Sequence, residues 1–213
     1  GNTAWSDARQ VFHYRKGQVL FEEGGTVPGL YFVSSGAVKV HQSWGAGNEF
    51  ILRFAVSGDV LGHRAQAAIA ASPVSVPTLG HRAQAAIAGS PVSATALDRT
   101  SACFISNELL QTTLATTPSL MHMMMLLYAS ELVKAEKRMR DLALMPVKSR
   151  VAEALLAIRQ TIGPDDEGFF RIPVTRLDNA CYAGTTYETV FRLLTGWRKD
   201  GLISTAGKRI KIN

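Results

Sequence analysis

The chain has 213 residues, 46% hydrophobic and 19% charged, which suits one large or two modest cores and excludes wholesale disorder. Its longest apolar runs, such as Met123–Ala129, fall far short of the ~18–20 residues that cross a bilayer, and no charged-then-apolar leader opens it, so the expected setting is a reducing cytoplasm with no membrane partner. The formal net charge is +6, and residues 176–213 carry seven Lys and Arg against three Asp and Glu, a bias that points to a polyanion.

In chain order, Val19–Phe21, Leu30–Val33, Ala37–His41 and Phe50–Phe54 read as short strands separated by glycine turns, the pattern of a small antiparallel roll. Gly36, after Ser34-Ser35, suits a hairpin because glycine takes positive φ without strain. Residues 61–75 (LGHRAQAAIAASPVS) and 79–93 (LGHRAQAAIAGSPVS) repeat with a period of 18 and differ only at Ala71 and Gly89. Two copies do not make a solenoid. Near-identity means either a recent tandem duplication or an error in the sequence as written. Each copy holds an Ala-rich stretch of good helix propensity that ends at Ser-Pro. Ala102–Ser106 reads as the last strand of the roll.

Pro118 opens a long helix that runs to about Met145. Leu120, Met124, Leu127, Glu131, Lys134, Arg138 and Asp141 follow a 3.5-residue spacing along it, while Leu126, Leu132, Val133, Met139 and Leu142 lie elsewhere around it. A helix apolar on more than one face packs on two things, here its own roll and the same helix of a second copy. Pro146 breaks it. A second helix follows, with Val151, Leu155, Ile158 and Ile162 on one face, then a turn at Gly163–Asp166 and a short strand at Phe170–Val174.

Val174–Ile203 reads VTRLDNACYAGTTYETVFRLLTGWRKDGLI. Thr175 caps a short helix from Arg176 to about Ala183, with Asp178 completing a capping-box pair. Gly184 stops it, and Thr185 or Thr186 caps the next helix, which runs to about Lys199 before Gly201. Two helices joined by a glycine turn describe a helix-turn-helix. Leu202–Ser204 and Arg209–Ile212, around Thr205–Lys208, add a β-hairpin wing. The second helix offers Thr186, Tyr187, Glu188 and Arg192 near its start, over a buried face of Val190, Leu193, Leu194 and Trp197. Glu188 and Arg192 are four apart and can brace each other. In a major groove, arginine reads guanine O6 and N7, and glutamate accepts from cytosine N4. An ordinary surface ion pair is the competing reading; the turn, the wing and the basic balance favour DNA.

These segments resemble the Crp/Fnr superfamily of bacterial transcription regulators. KGQVLFEEG (16–24), GLYFVSSGAVKV (29–40) and GDVLG (58–62) are similar to its cyclic-nucleotide-binding-like roll, and VTRLDNACYAGTTYETVFRLL (174–194) with DGLIS (200–204) to its winged helix. The resemblance implies an α+β fold with three parts. Residues 1–116 form an antiparallel, jelly-roll or cupin-like β-roll sensor, 117–145 a dimerisation helix, and 146–213 a winged helix-turn-helix. It also implies a homodimer on a near-palindromic double-stranded operator, with RNA polymerase as a further partner if the protein activates. Residue by residue, Thr175 and Arg176 fall on phosphate-contacting positions and Glu188 and Arg192 on base-reading ones, and Lys208 matches a basic wing residue. Tyr187 stands where the cyclic-AMP receptors carry Arg, and Phe191 where many relatives carry Ser or Gly.

The family's effector pocket fits less well. Its cyclic-AMP receptors hold ribose with a Glu after Gly, phosphate with an Arg-Ser pair, and place paired hydroxyls on the long helix. Those positions read Gly62-His63 (His81 in the second copy), Val92-Ser93 and Ala135-Glu136 here. Val92 cannot neutralise a phosphate, an unpaired buried charge is costly, and Glu136 would repel it, so no cyclic-AMP response is expected. Arg64 or Arg82 offers an alternative anion partner, set against the usual solvated helical arginine. Two distant cysteines, Cys103 and Cys181, do not supply an iron–sulfur cluster or a disulfide framework. No spacing among the five His and six Met singles out a haem ligand. The effector therefore stays unassigned, and no cofactor is expected to be needed for DNA binding. A metal enzyme on the roll would want two close histidines on a strand, and no His-x-His occurs, so the chain is not expected to be an enzyme. The alternative reading is a small-ligand sensing module without promoter-specific regulation. The mechanism expected is a population shift in which a signal at the roll rotates the winged helices about Pro146.

Overall fold

The computed structural model describes residues 10–45, 47–65 and 89–213. Most of the duplicated segment, with His81 and Arg82, lies outside the described residues. The chain forms two compact units, one of residues 1–47 and 52–110, the other of 48–51 and 111–213.

The first unit is built on β1 (Gln10–Tyr14), β2 (Val19–Phe21), β3 (Gly29–Ser35), β4 (Ala37–Trp44), β5 (Asn48–Val56), β6 (Val60–Leu61), β7 (Ser93–Ala96) and β8 (Thr100–Ser106). Among the described residues they make two four-stranded sheets, ordered β1-β8-β3-β6 and β2-β7-β4-β5. This is the expected antiparallel roll. Leu30 pairs with Ile105 and Phe32 with Cys103 in one sheet, Val38 with Ala96 and Val40 with Ala94 in the other. Phe21, Tyr31, Val33, Val38, Val40 and Leu61 belong to one buried cluster. Gly36 turns β3 into β4 at φ +85°, as expected, and a Cβ there would lie 2.4 Å from the Arg99 carbonyl. Three strands escaped the sequence reading: β1, the two-residue β6, and β7, which begins on the last residue of the second repeat copy.

The single difference between the repeat copies has a physical cause on one side. Gly89 has φ +90°, and a Cβ on it would stand 2.2 Å from the Gly24 carbonyl oxygen. Its neighbour Ser90 bonds that loop twice, Gly24 N to Ser90 O at 2.7 Å and Ser90 N to Gly25 O at 2.8 Å. Only glycine fits at 89; the matching residue of the first copy is Ala71.

Helix α1 (Asn107–Thr116) was not anticipated; α2 (Pro118–Leu144), α3 (Val147–Ile162), α4 (Arg176–Ala183) and α5 (Tyr187–Lys199) were. Pro118 stands in the first turn of α2 and Pro146 caps α3. Val151, Leu155, Ile158 and Ile162 of α3 are all buried, as their spacing predicts. The strand expected at Phe170–Val174 does not form. Isolated bridges join Phe170 to Pro164 and Phe169 to Lys211, and Pro173 lacks the N–H a ladder would need. The chain ends in β9 (Ile203–Ala206) and β10 (Arg209–Ile212), paired through a turn at Gly207-Lys208, so the first wing strand reaches two residues further than expected.

Along α2, no residue of 27 is buried. The row from Leu120 through Met124, Leu127, Glu131, Arg138 and Asp141 is half-buried apart from exposed Lys134. A second row with the same four-three spacing runs one residue later: Met121, Met125, Tyr128, Leu132, Ala135 and Met139. It is exposed throughout, with Leu132 60% and Met139 64% exposed. No helix among the described residues is long and apolar enough to cross a membrane.

Candidate nucleic-acid interface

The reading unit is fixed first by its caps. Thr175 Oγ1 accepts from Asp178 N at 3.0 Å and donates to Asp178 Oδ2 at 2.6 Å, while Asp178 Oδ2 accepts from Thr175 N at 3.2 Å. This reciprocal box satisfies orphan donors at the start of α4 and sets an acidic group against its positive end. The Thr175 hydroxyl proton is thus engaged inside the protein. Asp178→Ala should lower stability by about 1 kcal/mol, read as a thermal midpoint a few degrees lower. An unchanged melt would mean the box contributes nothing.

Gly184 closes α4 in the left-handed region, at φ 64° and ψ 49°. The site is also crowded: a Cβ would lie 2.7 Å from the Leu142 side chain. Arg150 ties the same place down, with Nη1 donating to the Leu142 carbonyl at 2.7 Å and Nη2 to the Gly184 carbonyl at 3.2 Å. Of the two threonines that follow, Thr186 is the cap of α5, accepting from Thr189 N at 3.3 Å; Thr185 is half-buried and its N–H bonds the Ala180 carbonyl.

A further anchor was missed in the sequence. By spacing alone Arg138 is a charged member of the α2 row. Its Nη2 donates to the carbonyls of Ile51 (2.8 Å) and Tyr182, and its guanidinium lies 4.2 Å over the Tyr182 ring and 4.9 Å over Phe50. Burial pulls its pKa below the usual arginine value. Nothing in the spacing of α2 marks Arg138 apart from Lys134, because its partners lie 44 and 87 residues away.

On α5, Val190, Leu194 and Trp197 are buried. Glu188 and Arg192 are exposed on the opposite side, Tyr187 and Phe191 are exposed on its flank, and the cap Thr186 is exposed. Among the described residues no hydrogen bond or ion pair joins Glu188 to Arg192, so the expected brace is absent and both polar ends face outward. Tyr187 and Phe191 stack, with ring centroids 6.2 Å apart and planes 19° from parallel. Arg176 places its guanidinium 5.4 Å over the Phe191 ring. Lys208 is exposed in the wing turn. The wing is held at its root by Arg209, whose Nη2 lies 2.5 Å from Asp165 Oδ2 and whose Nη1 lies 3.1 Å from Glu167.

The candidate effector residues are gathered only in part. Gly62, His63, Arg64 and Val92 line a recess in the first unit together with Phe21, Val40, Leu61 and Arg53. His63 and Val92 are buried. Ser93 is buried too, and its hydroxyl accepts from Glu23 N at 2.9 Å. Ala135 and Glu136 are exposed on α2, in the second unit, with Ala135 on the exposed apolar row. Arg53, absent from the sequence reading, adds a second guanidinium to the recess, its Nη2 donating to the Val60 carbonyl at 2.6 Å.

Comparison with known proteins agrees with this architecture. A family model described as a cyclic nucleotide-binding domain matches residues 11–117, and one described as a Crp-like helix-turn-helix domain matches 149–213. The fumarate and nitrate reduction regulatory protein of Escherichia coli K12 is 31% identical over 204 residues, covering 93% of this chain and 72% of that protein. The regulatory protein HlyX of Actinobacillus pleuropneumoniae is 28% identical over 203 residues, covering 93% and 76%. The solved structure of FixK2 from Bradyrhizobium japonicum superposes with a TM-score of 0.76 at 25% identity, covering 96% of this chain and 92% of that one. The two family models match in succession along the chain, which covers 72% and 76% of those two regulators, and the chain belongs to the Crp/Fnr family: it is a DNA-binding transcription regulator, not an enzyme.

Proposed function

We propose that two copies of this protein bind a near-palindromic operator, with one α5 in each of two successive major grooves roughly 34 Å apart. The observation that carries the reading is the outward pair Glu188 and Arg192, set on a helix whose other side is core. Arginine in that position can grip guanine, and glutamate the cytosine amine of the same or the next pair. Arg176, Thr186 and Lys208 supply backbone contacts on this reading, and Thr185 supports the turn. The exposed four-three row of α2 suits a parallel pairing of two such helices. A signal at the roll, effector or redox, sets the balance between binding and non-binding forms in the cytoplasm. The effector is not cyclic AMP on this reading, because apolar, buried Val92 stands at the position of the receptors' phosphate-binding arginine. An activator of this kind would also touch RNA polymerase.

Selection from random double-stranded fragments at low salt tests the proposal. An inverted-repeat motif with a G·C pair in each half should emerge. On that motif Lys208→Ala should weaken binding to all sequences alike and flatten the salt dependence by about one unit of slope. Failure to enrich any motif would overturn base reading.

A further inference from the structure

Two residues, Met145 and Pro146, connect α2 to α3, and both are extended, with ψ 138° and 145°. The ring of Pro146 fixes its own φ, but rotation about the two ψ bonds would swing α3, α4 and α5 together relative to α2. The covalent link by itself therefore sets no angle between α2 and the reading unit. Two guanidiniums cross it, all within the second compact unit. Arg150, on α3, donates to the Leu142 carbonyl in the last turn of α2 (2.7 Å) and to the Gly184 carbonyl at the end of α4 (3.2 Å). Arg138, on α2, donates to the Tyr182 carbonyl in the last turn of α4 and lies 4.2 Å over the Tyr182 ring. Each of the three helices is thus tied to the other two. The acceptors are carbonyls at helix C-termini, which lack intrahelical partners and carry partial negative charge, so a guanidinium suits them. The other contacts of Arg138 come from β5, the Ile51 carbonyl at 2.8 Å and the Phe50 ring at 4.9 Å. The turn between α4 and α5 sits directly on α2, since a Cβ on Gly184 would lie 2.7 Å from the Leu142 side chain.

We propose that Arg138 and Arg150 are positioning residues for operator binding: their brace fixes the angle of α4 and α5 to α2, and with it the spacing between half-sites that two paired copies accept. This rests on the operator binding and α2 pairing proposed above and adds what sets the spacing. The reading face of α5 is exposed while the brace is closed, so the braced form is the one that engages DNA.

The test uses the full-length protein and its selected operator, with base pairs added to or removed from between the half-sites. One added base pair moves a half-site by about 3.4 Å and turns it by about 35°. The wild type should lose about 100-fold in affinity on a change of one or two base pairs, because the linked second contact is lost. Arg138→Ala should bind the best spacing about tenfold more weakly and the altered spacings as the wild type does, so that its spacing penalty shrinks to about tenfold. On a duplex with a single half-site the two proteins should bind alike. Arg138→Lys keeps the charge without the planar fork or the stacking and should fall between them. Arg150→Lys should flatten the profile as well, and the two lysine variants carry the test should Arg138→Ala fail to fold. Spacing profiles parallel to that of the wild type would make both arginines stabilising groups only and overturn the proposal. An equal loss on the single half-site would overturn it too, since the damage would then lie in the reading face. A wild type that selects no inverted repeat would instead overturn the operator binding itself.

Discussion

Arg192→Ala should lose about 5- to 100-fold in affinity for the best operator and become tolerant at one base pair of each half-site. The magnitude follows from a bidentate arginine–guanine contact, worth about 1–3 kcal/mol of discrimination, at tenfold per 1.4 kcal/mol. The loss should appear in binding alone. Arg192 is exposed and opposes the buried Val190, Leu194 and Trp197, so its removal leaves the α5 core intact and the melt unchanged. Competition against operators altered one base pair at a time separates two roles. A base contact gives a loss confined to the cognate pair, whereas equal weakening on every sequence would make Arg192 a phosphate contact.

On the α2 pairing proposed above, Leu132→Asp should leave the protein monomeric and weaken operator binding about 100-fold or more. Leu132 is 60% exposed and lies midway along the row Met121, Met125, Tyr128, Leu132, Ala135, Met139. In a parallel pairing the change removes two buried leucines, about 2 kcal/mol each, and adds two carboxylates facing each other out of water. The sum is about 4 kcal/mol or more, on the order of a thousandfold in the dimerisation constant. A monomer then holds one half-site without the linked second contact. Sedimentation equilibrium measures the state, and circular dichroism should show the helix intact. A Leu132→Asp protein that stays dimeric would place the pairing surface elsewhere on α2.

The two α2 rows show where the sequence was legible and where it was not. Periodicity located the helix, its proline boundaries and a four-three repeat. It could not choose between rows one residue apart, since both begin with apolar residues and share the same period. Burial identifies the second as the exposed one. Only partners distant in sequence separate them, Arg138 with Ile51 and Tyr182 among them. The reading unit was the most legible part because its information is local: the Thr175–Asp178 box, Gly184 in the left-handed region and the alternation of α5 lie within a few residues. The roll was legible through its glycines, less so where pairing is long-range. β1 shows no buried residue to mark a core-facing side, and β7 is short and opens on repeat sequence already read as helix and turn. Helix α1 (NELLQTTLAT) is rich in β-branched threonine, which has only modest helix propensity. Among the candidate effector residues, the run 62–64 and Val92 line one recess, and Arg53 joins them from β5, where no local pattern marks it.

Position 191 and its neighbour at 187 sit on the outside of a helix whose inside is already complete. Changes there leave the buried side of α5 untouched, since Val190, Leu194 and Trp197 supply it. On the operator-binding function proposed above, promoter choice can therefore drift at exposed positions of this helix while the fold is kept. Val190 and Leu194, one turn apart on the hidden side, have no such liberty.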